Sequence, residues 1–227
     1  RLTLARAVAD PANPLTSRVL VNRVWHQLFG RGLVSSVDDF GPMGEKPTHP
    51  ELLDWLAHDF VSHGWSLKHL IRELVLTETY GQATVAHPDV DPASLASADP
   101  QNLLLHRMPV KRLRAEAIRD GILSVSGTLD TTMFGRSIPT HRTPFMSGRG
   151  ARASGPLDGE GRRTIYGAVY RNFLSPFLLT FDMPAPFGPK GRRDTSNVPA
   201  QALALMNDPF IVQEAERWAT RLLEDEG

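Results

Sequence analysis

The chain has 227 residues, of which 41% are hydrophobic, so it can bury one sizeable core, and a single domain over residues 1–227 is expected. Its 25 basic and 25 acidic residues balance, which argues against nucleic acid as a partner, because binding to that backbone usually requires a strongly basic protein. The absence of cysteine excludes disulfides, thiolate metal sites and covalent haem attachment within this chain.

The first strong helix pattern follows Asn13-Pro14, which is typical of a helix start, with Asn as the N-cap and Pro in the first helical position. Apolar residues then recur at i, i+3, i+4 and i+7 from Val21, and Gly30 ends the helix. A polar stripe lies on another face and is made of Arg18, Asn22 and His26. We interpret the stripe as a solvated face, with the wall of a cleft as the alternative.

Two further helices are predicted on either side of the tight connection at residues 63–66. The spelling Thr48-His49-Pro50-Glu51 indicates a capping box, which would begin a helix over residues 50–62. Gly64 supplies a left-handed stop, and Ser66 is the expected cap of the next helix.

The histidines of this region raise the question of a metal site. His58 and His63 are five residues apart, so they lie on different faces of a helix, and no H-E-x-x-H motif is present. Because a metal site needs an intact set of ligands, the sequence predicts no metal site and no cofactor in this chain.

Another strong helix pattern runs from about residue 110 to residue 126 and is closed by Gly127. Charged residues gather on one of its faces at i, i+3 and i, i+4 spacings: Arg112, Glu116, Arg119 and Asp120. The simpler interpretation is a salt-bridged outer face. If the face lines a cavity, the two carboxylates among arginines become available as acid, base or carboxylate-binding groups.

Helical periodicity disappears over about residues 128–162 and again over residues 183–197, where Gly, Pro and Arg predict two long irregular loops. Residues 163–170, RTIYGAVY, are the one segment with a convincing β-strand pattern. From residue 136 to residue 193 there are ten Arg or Lys against three Asp or Glu. Guanidinium groups suit recognition of carboxylate, sulfate or phosphate, so this excess predicts an anion-binding surface.

Three helices are predicted at the C-terminal end: a short one that begins at Ser175-Pro176, and two more that begin at Val198-Pro199 and Asp208-Pro209. Phe210 and Trp218 are among the residues expected to face inward on the last of them. The predicted fold class is therefore mainly α: an irregular multi-helix domain with a minor β element and two long Gly/Pro/Arg-rich loops.

Four stretches carry a family resemblance. They are NPLTSRVLVNRVWHQLFGRGLV (13–34), THPELLDWLAHDFVSHGWSLKHLIRELVLTETY (48–80), KRLRAEAIRDGILSVSGTLD (111–130) and TSNVPAQALALMNDPF (195–210). In this order they resemble a planctomycete C-terminal domain family of unknown function, found in large proteins that often also carry a cytochrome-c-like domain. The chain departs from the family pattern in two places. Gly81 holds the position at which an Arg commonly follows the Thr-x-Thr-Tyr segment, and the Gly- and Arg-rich loop at residues 147–161 also differs.

The resemblance implies an extracytoplasmic bacterial protein whose partners include cytochrome-c-like and other domains of the same parent polypeptide. Any haem would then belong to a partner domain, because this chain has no cysteine. We also expect the chain to be a piece of a longer polypeptide, since it begins at Arg1. No apolar run reaches the roughly 20 residues that span a bilayer, so no membrane span is predicted.

The resulting functional prediction is an accessory or interaction module with an Arg-rich surface for an anionic polysaccharide or a protein partner. The alternative is a carbohydrate-active enzyme domain in which Glu116 and Asp120 act as acid and base, since glycoside chemistry uses two carboxylates across a cleft. Whether the chain is catalytic stays open. The residues expected to bind substrate are Arg23, His49, Arg119, Arg171, Asp182 and Arg193.

Overall fold

The structure, a computed structural model, describes residues 1–85, 89–150, 153–188 and 190–225. Within these residues the chain is mainly helical, with ten α-helices, two single-turn 3-10 helices and no β-sheet, which confirms the predicted fold class. The chain divides into two compact units, unit 1 (Arg1–Lys111) and unit 2 (Arg112–Gly227). The single-domain organisation over residues 1–227 stays a prediction.

The described residues of unit 1 form six α-helices: α1 (Leu2–Ala9), α2 (Pro14–Phe29), α3 (Pro50–Ser62), α4 (Leu67–Val75), α5 (Glu78–Gly81) and α6 (Pro92–Ala98). The predicted bounds of α2 are confirmed, because the Asn13 side chain accepts a hydrogen bond from the Leu15 N–H and Gly30 ends the helix at φ +83°. The Ser66 hydroxyl caps α4 by accepting the His69 N–H.

The predicted capping box before α3 is wrong. His49 occupies the N-cap position and its side chain makes no capping hydrogen bond. Thr48 is used differently, since its backbone N–H and its hydroxyl both donate to the Leu33 carbonyl, at 2.8 and 3.3 Å. Pro50 takes the first helical position and places Thr48 one residue too early to cap, so Thr48 anchors the preceding loop instead.

The interior of unit 1 is apolar and is formed mainly by α2, α3 and α4. Trp25 stacks on Phe29 with ring centroids 4.1 Å apart. Asn22, expected on a polar stripe, is fully buried: its side-chain amide donates to the Val34 carbonyl and its oxygen accepts the Val34 N–H, both at 2.9 Å. Asn22 is thus neither solvated nor part of a cleft wall; it holds the loop after α2 against the helix.

Unit 2 contains α7 (Ala115–Ser126), α8 (Pro176–Thr180), α9 (Pro199–Asn207) and α10 (Pro209–Asp225). Gly127 ends α7 at φ +82°, as predicted, although the helix begins about five residues later than expected. A second hydrophobic cluster fills this unit and includes Ala115, Leu123, Phe177, Phe181 and Phe210. The described residues between 128 and 158, and between 183 and 197, form no helix; residues 151, 152 and 189 lie outside the described part of the chain.

The strand predicted over residues 163–170 is wrong. Residues Thr164–Tyr166 form a 3-10 turn, and β structure among the described residues is confined to three isolated bridges, one of which pairs Ile138 with Gly167. The reason is a contact distant in sequence: the Asp120 carboxylate accepts both the Thr164 N–H and the Thr164 hydroxyl, at 2.7 and 2.6 Å. The backbone donor that a strand ladder would use is therefore already paired.

Candidate functional site

Unit 2 holds a cleft of about 580 Å³ beside the first two turns of α7, a size common for small-ligand sites. Part of its lining is apolar and includes Ile138, Leu157, Ile165 and Val169. The charged part consists of five arginines and two carboxylates, a formal excess of three positive charges: Arg114, Arg119, Arg162, Arg163, Arg193, Glu116 and Asp120. The cleft therefore combines apolar walls with a cationic lining.

The ion pair between Glu116 and Arg193 lies at the start of α7. The Arg193 guanidinium donates to Glu116 at 2.6 Å, and both side chains are about one-third exposed. Burial acts to raise the pKa of Glu116, but the hydrogen bond from Arg193 and the positive charges of Arg193 and Arg114 outweigh it, so this pKa lies below its ordinary value. Glu116 is thus a carboxylate at neutral pH.

Arg114 differs from the other lining arginines in that it has no direct partner among the residues that the structure describes. It occupies the N-cap position of α7 without making a capping hydrogen bond. Its guanidinium makes no hydrogen bond or salt bridge with any residue that the structure describes. Burial and the neighbouring charge of Arg193 lower the pKa of Arg114, and Glu116 only partly offsets them. These three side chains, Arg114, Glu116 and Arg193, are called the rim cluster below.

Asp120 lines the same cleft, and its carboxylate is held by Thr164. Its Oδ1 accepts both donors of Thr164, and its Oδ2 lies 3.8 Å from the Arg163 Nε. The structure therefore places both predicted catalytic carboxylates, Glu116 and Asp120, in one cleft, and each already has a partner.

Arg119, predicted to bind substrate, is mostly committed to the fold. Its Nη1 donates to the Arg162 carbonyl and to the Thr164 hydroxyl, each at 3.0 Å, and its Nη2 donates to the Asp158 carbonyl. The guanidinium also lies over the Phe210 ring, 5.5 Å from its centroid. With 13% of its side chain exposed, Arg119 fixes the loop after residue 157 to α7.

A buried carboxylate that sequence reasoning missed supports this arrangement. Glu214 is 1% exposed; its Oε2 accepts the Ser126 and Thr128 hydroxyls, both at 2.6 Å, and its Oε1 accepts from Arg217 at 2.6 Å. Arg217 also donates to Asp158 at 2.8 Å. We call Arg119, Asp158, Glu214 and Arg217 the buried network. The available signal was the i, i+4 spacing of Glu214 from Phe210, which places it on the apolar face of α10.

Two other predicted substrate-binding residues of unit 2 lie outside the described lining of the cleft. Asp182 accepts the Ser196 N–H and hydroxyl at 2.8 and 2.7 Å, so it fixes the segment before α9. Gln201 is buried, with 3% of the residue exposed, and its side-chain oxygen accepts a hydrogen bond from Arg112 at 2.7 Å. Arg171 is exposed.

The remaining two predicted residues belong to unit 1. Arg23 is half-exposed and lies 4.0 Å from Asp38. The His49 ring nitrogen lies 3.0 Å from the Thr48 hydroxyl. Of the eight residues predicted to form a site, the cleft thus brings together Glu116, Arg119, Asp120 and Arg193.

Sequence reasoning missed three lining arginines, Arg114, Arg162 and Arg163. The signal for Arg114 was its position directly before α7, where Ser, Thr, Asp or Asn is preferred. The Arg162 guanidinium already has partners within the fold, because it donates to the Phe134 carbonyl at 2.6 Å and lies over the Tyr166 ring. Arg163 is half-exposed beside Asp120.

Comparison with known proteins gives one match. A family model described as PSD1, protein of unknown function (DUF1553), matches residues 1–227. The chain belongs to this family. No curated protein and no solved structure matches the chain.

Membership in PSD1 confirms the predicted domain of unknown function, while the planctomycete source and the cytochrome association stay predictions. Across the described residues of this PSD1 chain, no helix is both long enough and apolar enough to cross a membrane. Among the same residues, one group of three possible metal ligands is present, and it lies in unit 1 rather than in the cleft. Its members are Asp59, His63 and His69.

Proposed function

We propose that this PSD1 domain is an accessory binding module whose unit 2 holds an anionic saccharide, bearing carboxylate or sulfate groups, in the cleft. The observation that carries the proposal is Arg114, a guanidinium in the cleft lining that has no direct partner among the described residues. Its charge is available to a ligand because the fold does not use it.

The position of Arg114 is electrostatically unfavourable for the protein alone. The N-terminus of α7 carries the positive end of the helix dipole, and Arg193 adds a second cation nearby. Glu116 neutralises only one of the two guanidinium groups. A bound anion would relieve this repulsion, and the planar guanidinium fork matches carboxylate and sulfate oxygens in a bidentate arrangement.

The apolar part of the lining supports a ring-shaped ligand rather than a bare ion. Leu157, Ile165 and Val169 offer surface to the C–H faces of a sugar ring, while the rim cluster would receive its charged substituent. The volume of about 580 Å³ lies within the range of small-molecule sites, which suits a short segment of an anionic polysaccharide.

Isothermal titration of the full chain with a sulfated disaccharide, a uronate disaccharide and a neutral disaccharide tests this proposal. We expect binding of a charged disaccharide that weakens as salt is added, and no binding of the neutral one. The double variant R114Q/R193Q should lose this binding. Binding of the neutral disaccharide with equal affinity, or no binding of either charged one at low salt, would overturn the proposal.

A second candidate function, a carbohydrate-active enzyme, is favoured by one observation: Glu116 and Asp120 line the same cleft. The environment of Glu116 argues against its use as the general acid, because a general acid needs a raised pKa and that of Glu116 is lowered. If the domain hydrolyses glycosides, Glu116→Gln will abolish turnover of a chromogenic glycoside by the full chain. Absence of turnover by the unmodified chain removes this candidate.

We also propose, from the family resemblance alone, that the parent protein is extracytoplasmic and that its partners include a cytochrome-c-like domain. Protease accessibility of the domain in cells whose outer envelope is permeabilised but whose cytoplasmic membrane is intact, compared with lysed cells, tests the location. Protection in the permeabilised cells together with digestion after lysis would contradict it.

A further inference from the structure

A second polar cluster lies in unit 1 at the turn between α3 and α4. Asp59 stands in the last turn of α3, His63 follows that helix, and His69 lies in α4. The two oxygens of Asp59 face different rings: Oδ1 is 3.1 Å from His63 Nδ1, and Oδ2 is 3.1 Å from His69 Nε2. One ligand atom from each residue lies within 4.8 Å of the other two.

The backbone holds this cluster in place independently of the three side chains. Gly64 and Trp65 both adopt positive φ, which reverses the chain after α3. The Trp65 N–H donates to the Phe60 carbonyl at 2.9 Å, and the two aromatic rings meet edge to face at 5.4 Å. Ser66 then caps α4 through the His69 N–H. Substitution of the cluster should therefore leave the turn folded.

The donor set is suited to a transition-metal ion. Two imidazole nitrogens and one carboxylate oxygen are ligands that Zn²⁺ takes in sites that keep an open position for water. The His63 side chain is 50% exposed and Asp59 only 17%, so an ion has a route from solvent to a carboxylate held in place.

The two histidine rings converge on Asp59. They stack with centroids 3.9 Å apart, and one nitrogen of each ring faces the Asp59 carboxylate at 3.1 Å. The His63 Nδ1 also lies 3.0 Å from the Asp59 backbone carbonyl. A divalent cation would lie between the two nitrogens and the carboxylate, and the more exposed His63 ring can turn to bring its lone pair to the ion.

We propose that Asp59, His63 and His69 form a binding site for a divalent transition-metal ion, with Zn²⁺ as the first candidate and water in the remaining positions. The ion would connect α3 to α4 across their turn. The spacing of His58 and His63 in the sequence could not reveal this set, because the third residue, His69, comes from the next helix.

Zn²⁺ titration of the full chain, dialysed against a chelator and carrying no histidine tag, tests the proposal by isothermal calorimetry. We expect about one ion per chain, with His69→Gln and His63→Gln each weakening the affinity at least about tenfold. His58→Gln is the matched control, because His58 is an exposed histidine of α3 outside the cluster, and it should bind like the unmodified chain.

Thermal unfolding of the same proteins provides the second measurement. Zn²⁺ should raise the Tm of the unmodified chain and of His58→Gln by similar amounts, and should raise that of His69→Gln clearly less. The ion-free Tm of each variant shows that it is folded. No binding by the unmodified chain, or equal weakening by His58→Gln and His69→Gln, would overturn the metal site without bearing on the cleft of unit 2.

Discussion

Two arginines at α7 differ in how completely the fold uses them. Arg119 is mostly buried and donates to two backbone carbonyls and a hydroxyl. Arg114 lies five residues earlier, also lines the cleft, and makes no hydrogen bond or salt bridge with a described residue. The comparison shows that lining a cleft is not enough to make a cation available, because most of these arginines are already occupied by the protein.

The same contrast holds for the surrounding groups. The buried network connects α7 and α10 to the loop after residue 157 through Arg119, Asp158, Glu214 and Arg217. The rim cluster contains two cations and one carboxylate, so a unit of positive charge is left over. The buried network should accordingly govern stability, and the rim cluster should govern ligand binding.

The largest expected effect comes from removing the centre of the buried network. Glu214→Ala would leave Arg217 without one partner and would remove the carboxylate that accepts from the Ser126 and Thr128 hydroxyls, which would then contact the Leu123 carbonyl and each other. The free energy of unfolding should therefore fall by about 3 kcal/mol or more. Urea denaturation measures this change. Glu216→Ala, at an exposed site on the same helix, is the control and should stay within about 0.5 kcal/mol. Similar stability of the two variants would contradict the role of Glu214.

The paired substitutions Arg119→Ala and Arg114→Ala test the comparison itself. Arg119→Ala removes charge-assisted hydrogen bonds to the 158–164 segment and should destabilise the fold by about 2–3 kcal/mol. Arg114→Ala removes no hydrogen bond and should change stability by less than about 0.5 kcal/mol. Equal losses in denaturant titrations would show that Arg114 is structural as well.

Local signals predicted much of the helical framework. Asn13-Pro14 and Gly30 set the ends of α2, Gly127 sets the end of α7, and Ser66 caps α4. These signals depend on neighbours within a few residues, so the sequence carries them directly.

Contacts between distant residues explain the errors. Asp120 binds Thr164, 44 positions later, and turns a strand-like segment into a 3-10 turn. On α10, Glu214 is buried while Trp218 is 43% exposed, the reverse of what apolar periodicity indicates, because Ser126, Thr128 and Arg217 satisfy the carboxylate.

For the same reason, only half of the eight residues predicted to form a site line the cleft. Helical spacing placed Glu116, Arg119 and Asp120 on one face, and these residues do line the cleft. Spacing does not reveal which charged side chains are hydrogen-bonded by residues far away in the chain. Arg114 was therefore missed, and Asp182, which accepts two hydrogen bonds from Ser196, was grouped with the residues of the cleft although it lies outside the described lining.

A smaller effect is expected for the pH dependence of the buried network. Burial acts to raise the pKa of Asp158, but hydrogen bonds from Arg217 and from the Glu160 N–H, with the charge of Arg217, lower it overall. The ionised form therefore stabilises the fold above the unfolded carboxyl pKa, and this contribution is lost as pH falls through the folded pKa.

Asp158→Asn should consequently cost about 1 kcal/mol at neutral pH, and the difference from the unmodified chain should shrink in acid. Unfolding free energies measured from neutral pH down to the acid limit of stability test this. A difference that stays constant over the whole range would contradict the role of the Asp158 charge.

A modest change in stability is also expected for Glu116→Gln. The Glu116–Arg193 pair is partly exposed, so its loss should cost at most about 1 kcal/mol. Removal of the only carboxylate in the rim cluster should raise the affinity for a charged disaccharide, since both guanidinium groups then face the ligand without competition. Loss of affinity in calorimetry would show that Glu116 is needed to position Arg193.

The most direct test compares the affinities of Arg114→Gln and Arg171→Gln for the same sulfated or uronate disaccharide, in the full chain at low salt. Arg171 is an exposed arginine of unit 2 outside the described lining of the cleft, so both variants lose one positive charge. We predict that Arg114→Gln weakens binding roughly tenfold or more and that Arg171→Gln changes it by less than about twofold. Equal weakening by the two variants would contradict the account, because it would show that the ligand responds to net charge rather than to the cleft.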